Sequence, residues 1–221
     1  MRAVLERVDQ LLRGGPWPRE GVRGAPPAAT LLAATVALGA AYGACMGIYG
    51  WRWGEDYGPP HVAAVALKVP LLLLASAVVT GPSLYVFGAL AGSDLRPRDA
   101  VRLMLAANAL IAAALASLAP VTVFFTFSTR SHPFLVLLNA ALFALAGSAG
   151  LRFLWRSLAA WSGGGGRLVV VWLAVHGLVA AQMGWILRPF VGAPHLPFEL
   201  FRRTESNVLR GLIEALRYVG D

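Results

Sequence analysis

The chain has 221 residues, of which 57% are hydrophobic and 14% charged, with a mean hydropathy of +0.64. Soluble domains carry about 25% charged residues, so this composition excludes an ordinary soluble domain and points to a membrane protein. The net charge of +8 comes from arginine and one lysine; the arginines gather at the ends of apolar runs, which makes anionic lipid headgroups the fitting partner, and no nucleic-acid motif accompanies them.

Residues 2–13 place Val4, Leu5, Val8, Leu11 and Leu12 at helical spacing, with Arg2, Glu6, Arg7, Asp9 and Arg13 mostly on the other face. This predicts an amphipathic helix lying on a membrane surface. Gly14-Gly15-Pro16 stops it. It has no apolar core of the signal-peptide kind. Residues 14–29, rich in Pro, Gly and Arg, form a linker, so 1–29 is a cytoplasmic segment.

The first span is expected over about 30–50. Gly39, Gly43 and Gly47 recur every four residues and make one stripe where a second helix can approach closely. That helix is expected either within the chain or in a homo- or hetero-oligomer formed through this span. Gly50, near the span's end, is expected to be less crowded than Gly43. Residues 51–65 are read as a solvated loop, with Trp51 and Trp53 at the membrane interface. Glu55, Asp56 and His61 lie in that loop without further partners for a metal or acid–base site. Cys45 is the only cysteine, which rules out an internal disulfide.

The second span, about 68–91, begins with the only lysine, Lys68, and then runs to Leu90 without a charge. So long an apolar run is read as a bilayer crossing. Pro70 and Pro82 kink it, because proline removes a backbone hydrogen bond. Thr80 and Ser83 are placed to satisfy the carbonyl freed at Pro82. The third span, about 100–127, carries Asn108 and a kink at Pro120. The fourth, about 133–151, carries Asn139 and the small residues Ala140, Ala144 and Gly147. A loop with Arg152, Arg156, Arg167, Trp155 and Trp161 follows, and its four glycines lack the Lys-Ser/Thr of a phosphate loop. The fifth span, about 168–187, carries His176 and Gln182, with Arg188 at its end. The transmembrane domain is thus 30–190. Residues 191–221 form an extracytoplasmic tail ending in a second amphipathic helix, 205–219.

Charge sets the orientation. With the N-terminus inside, inner segments carry Arg2, Arg7, Arg13, Arg19, Arg23, Arg96, Arg98, Arg102, Arg152, Arg156 and Arg167. The outer loops carry Arg52, Lys68 and Arg130, and the C-terminal tail adds five arginines outside, offset by Glu199, Glu205, Glu214 and Asp221. Basic residues concentrate on the cytoplasmic side, so the N-terminus is expected inside and the C-terminus outside, in a cytoplasmic (inner) membrane.

Several strings resemble a little-characterised family of bacterial multi-span proteins: AYGACMG at 41–47, ALKVPLLLL at 66–74, PSLYVFGAL at 82–90, ASLAPVT at 116–122, LLNAALFALAG at 137–147 and QMGWILRPFVGAP at 182–194. That family is distantly similar to the Yip family, Rab-interacting membrane proteins with five spans. The resemblance implies a five-span plan with the N-terminus in the cytoplasm. It does not carry Rab binding, because Asp56-Tyr57-Gly58-Pro59 follows a span and lacks the family motif's leucine.

The expected fold is all-α, a polytopic membrane helix bundle of five transmembrane helices with amphipathic surface helices at both ends. Lys68, Asn108, Asn139, His176, Gln182 and Arg188 are candidate polar anchors. Interhelical hydrogen bonds are the main role for such groups, and Lys68 is expected to join Asn139, Gln182 and the carbonyl freed by Pro70. No span pairs a nucleophile with a base, so neither a catalytic residue, a cofactor nor a metal is expected. The expected role is a non-enzymatic scaffold or a subunit of a larger membrane assembly. The alternative is a small transporter or channel with a polar path among the spans.

Overall fold

The computed structural model describes residues 26–54, 57–90, 95–160, 166–187 and 190–192. Among these the structure is all-helical. Five helices follow one another: α1 Ala28–Trp53, α2 Pro59–Leu90, α3 Pro97–Ser128, α4 His132–Ala159 and α5 Gly166–Ile186. All five are long and apolar enough to cross a membrane. The expected surface helices at 2–13 and 205–219 lie outside the described residues, as does Arg188.

Two helices are longer than expected. α2 starts at Pro59 rather than near Lys68, so residues 59–67 are helix and not loop. Proline suits a helix's first turn, where its missing N–H would have no partner, and 61–67 contains nothing that breaks a helix. α2 has 32 residues, about 48 Å at the α-helical rise, against about 30 Å of bilayer hydrocarbon. α4 continues through Arg152 and Arg156 to Ala159. Arginine is a strong helix former, so the helix outlasts the apolar run. Local signals explain other ends. Ser131 caps α4 by accepting from the Phe134 N–H, and Pro97 occupies the first turn of α3.

The helices run up and down. One buried apolar cluster gathers Leu31 at the start of α1, Leu84 near the end of α2, Leu103 in the first half of α3, Leu154 near the end of α4 and Trp172 in the first half of α5. The second gathers the opposite portions of the first four helices: Tyr49, Val65, Leu115 and Leu135. Around the bundle the order is α1, α2, α5, α4, α3, and α2 also touches α3 across the middle. α1 is the most enclosed helix and α5 the least: 44% and 17% of their apolar windows are buried.

The glycine stripe of α1 is filled from within the chain, by α2. A Cβ on Gly43 would lie 2.5 Å from the Val65 carbonyl oxygen and 2.9 Å from Ala66 Cα. One on Gly47 would lie 2.9 Å from Val62 Cα, and one on Gly39 3.4 Å from Pro70 Cα. Positions rise along α1 as they fall along α2, the register of an antiparallel pair. Of the two expected arrangements of the stripe, a helix of the same chain is the one this structure holds. Gly50 is crowded too, though less than Gly43, as expected: its Cβ would sit 2.7 Å from the His61 ring, a side chain, and 3.2 Å from Gly192 Cα. On its other side α1 meets α3, whose Ala106, Ala109 and Ala112 are fully buried. Small side chains let helix axes come close, and packing then replaces the hydrophobic drive that lipid cannot supply.

All three prolines lie inside helices that continue through them. Pro70 is buried against Gly39, whereas Pro82 and Pro120 face outward.

Candidate functional site

An apolar interior makes every polar side chain conspicuous, because an unmet donor or acceptor there costs free energy. Among the described residues most buried polar side chains fall into three groups along the bundle axis.

The first joins α1, α3 and α4. The Tyr42 hydroxyl donates to Asn139 Oδ1 at 2.7 Å. Thr122 Oγ1 stands 3.3 Å from the same oxygen and 3.4 Å from the Tyr42 hydroxyl, both long contacts. Asn139 Nδ2 turns back to the Leu135 carbonyl at 2.8 Å. Asn139 thus uses its acceptor across helices and its donor on its own helix. The Tyr42 ring is held edge-on against Phe143.

The second fastens α5 and α3 to α2 (in the half of the bundle that holds Pro82). His176 Nδ1 lies 2.7 Å from Thr80 Oγ1, and Thr80 Oγ1 also lies 2.7 Å from the Ser76 carbonyl. A hydroxyl has one proton and a carbonyl only accepts. Both bonds therefore form together when Thr80 donates to Ser76 and His176 carries its proton on Nδ1. One turn back along α5, the Trp172 Nε1–H donates to Ser83 Oγ at 3.0 Å, and the indole stacks on the His176 ring. Ser83 donates its hydroxyl hydrogen bond to the Thr80 carbonyl at 2.7 Å. Thr80 and Ser83 therefore serve the Ser76 and Thr80 carbonyls, not the one that Pro82 frees, because a back-bond to the preceding turn is the short reach for a hydroxyl. Asn108 Nδ2 donates to the Leu73 carbonyl at 2.9 Å and ties α3 to α2.

The third group lies at the opposite end. His61 is 1% exposed, which corrects the solvated-loop reading. Its first-turn position on α2 turns it inward, edge-on to Tyr57 and against Gly50. Lys68 is 3% exposed. Residues 190–192 cover this end: His132 Nε2 lies 3.1 Å from the Val191 carbonyl, and Gly192 sits on Tyr57 and Gly50. The bundle therefore includes Val191 and Gly192, which were assigned to the tail. Nearby, the Tyr49 hydroxyl donates to the Arg130 carbonyl and the Trp53 indole N–H to the Thr126 carbonyl.

Of the expected anchors, Asn108, Asn139 and His176 are buried in interhelical bonds. Lys68 is buried on the α1-facing end of α2, but the expected junction through Asn139 is otherwise engaged, since that oxygen serves Tyr42 and Thr122. Gln182 is partly exposed on α5. Tyr42, Tyr49, Trp53 and Trp172 were not singled out as polar anchors; a hydroxyl or indole N–H on a ring counts as apolar in a hydropathy reading. Among the described residues no group of three or more His, Cys, Asp or Glu side chains is placed to hold a metal ion. No family model matches the chain, and no curated protein and no solved structure matches it.

Proposed function

We propose that this integral membrane protein is a non-enzymatic scaffold or subunit of a larger membrane assembly. The observation that carries this reading is the way Tyr42, Asn139, Thr80, His176, Ser83, Trp172 and Asn108 close on one another or on helix backbone carbonyls. Hydrogen bonds of that kind position helices and supply no proton or ion relay. The thinly covered α5 supports it further: Val170, Val171 and Leu178 are exposed at 51%, 50% and 63%, a face for lipid or for another subunit. The proposal includes a Yip-like five-span plan in a bacterial inner membrane, with the N-terminus in the cytoplasm; the span count supports the plan.

The test is cross-linking in the native membrane, followed by mild extraction and mass spectrometry of the isolated complex. A partner or a second copy at fixed stoichiometry is the expected result. A lone chain that mediates solute flux in liposomes would replace this reading with the small transporter or channel.

A further inference from the structure

The end of the bundle formed by the last turn of α1 and the segment after α3 carries two guanidiniums on one aromatic ring. The Arg52 guanidinium carbon is 4.3 Å from the centroid of a Trp53 ring, and that of Arg130 is 4.4 Å from it. The two cations therefore stand within about 9 Å of each other. Two hydrogen bonds and two cation–π contacts hold the platform in place. The Trp53 indole N–H is bonded to the Thr126 carbonyl at 2.9 Å, the Arg130 carbonyl accepts from the Tyr49 hydroxyl at 2.6 Å, and each guanidinium packs over the indole. Cation–π contact orients a guanidinium without using its N–H donors. Both side chains are exposed. Neither forms an ion pair with a described residue.

Two oriented cations whose donors meet no described residue suit a phosphate, which guanidinium groups grip through paired N–H···O bonds. The setting identifies the source of that phosphate. The platform lies where membrane-spanning helices end, the level of lipid headgroups. Phe127 and Phe124, three and six residues before Arg130, are 59% and 64% exposed and apolar, as an acyl chain requires. We infer that Arg52, Arg130 and Trp53 form a binding site for the phosphate headgroup of an anionic phospholipid. The inference is independent of the assembly role proposed above.

The experiment uses the full chain in nanodiscs of phosphatidylcholine with increasing phosphatidylglycerol. Lipid retained by the protein is measured by native mass spectrometry, and melting temperature is followed alongside. The wild-type chain retains phosphatidylglycerol over phosphatidylcholine and melts higher with it. An arginine near an anionic surface changes affinity by about fivefold, so the R52Q/R130Q chain binds phosphatidylglycerol roughly 30-fold more weakly. Its melting temperature in pure phosphatidylcholine stays unchanged, because the substituted side chains are exposed. The R152Q/R156Q chain loses the same net charge at the opposite end and keeps the selective retention. The site is disproved if R52Q/R130Q retains phosphatidylglycerol like the wild type, or if R152Q/R156Q loses it equally. Equal retention of phosphatidylcholine by the wild type also rejects it. Stabilisation by millimolar inorganic phosphate equal to that by the lipid rejects the lipid assignment and leaves a soluble anion as the ligand.

Discussion

Asn139 offers one carbonyl oxygen to two hydroxyls from two other helices. Replacing it with leucine leaves the Tyr42 hydroxyl without its 2.7 Å acceptor in an apolar interior. Asn139→Leu should lower stability by about 1–2 kcal/mol, read as a drop in melting temperature in detergent. Tyr42→Phe removes only the donor, and Asn139 still receives Thr122, so its effect should be smaller. In the double variant both partners go, and the loss should fall short of the sum; strict additivity would mean that the 2.7 Å bond adds nothing. Thr80 makes a second case. Thr80→Val keeps the shape and removes the oxygen that faces His176 Nδ1. About 1 kcal/mol should be lost, while Thr80→Ser should keep most of the stability; an equal loss in both would point to the methyl group's packing instead. Asn108, Asn139 and His176 were legible in the sequence because amides and imidazoles stand out in an apolar run. Their partners were not. Tyr42 and Trp172 lie far away in the chain from Asn139 and Ser83, and pairing across helices depends on rotation and depth, which a single sequence leaves open.

At the scale of elements, the close pair is α1 and α2. The glycine spacing was visible in the sequence, but the partner was not, since a stripe of small residues fits a helix of the same chain or of another. The register supplies a graded test. Gly43→Ala places a methyl group 2.5 Å from the Val65 carbonyl oxygen, and backbone cannot yield as a flexible side chain can. Overpacking of this kind costs about 1–3 kcal/mol. Gly39→Ala meets Pro70 at 3.4 Å and should be nearly neutral. Gly147→Ala, in α4, meets nothing within 4 Å and should gain a few tenths of a kcal/mol to about 1, because glycine loses more backbone freedom on folding. Gly50→Leu should also disrupt, but less than Gly43→Leu, since its nearest obstacle is the His61 side chain and the Gly192 main chain stands further off at 3.2 Å. Thermal unfolding of the five variants in one detergent checks the order. Equal behaviour of Gly43→Ala and Gly147→Ala would remove close approach as the basis of the α1–α2 contact.

For the whole molecule, long charge-poor runs made the five spans legible, as hydropathy registers length and polarity directly. The ends were less so. Arg152 and Arg156 marked a loop by charge, yet they continue α4, because a helix leaving the bilayer meets water with no reason to unwind. His61 looked like loop for the opposite reason: two prolines preceded it, and they begin α2 rather than break it. With the helix ends placed, the charge asymmetry becomes a statement about two faces. One face holds Arg96 and Arg98 before and at the start of α3, Arg152 and Arg156 at the end of α4, and Arg167 at the start of α5. The other holds Arg52 at the end of α1 and Arg130 after α3. Short flanking segments rich in arginine stay in the cytoplasm during insertion, so among the described residues the balance of charge predicts the first face inside. Single cysteines in a Cys45→Ala background read this out. Ala160 and Ser131 are exposed and follow or precede α4 at opposite faces. In intact cells a membrane-impermeant maleimide should label Ser131→Cys and leave Ala160→Cys untouched until the membrane is opened. The reverse pattern would put the arginine-rich face outside and overturn the orientation. Labelling of both sites in intact cells would mean that α4 does not cross the membrane, which its 28 residues and apolar window make the less stable arrangement.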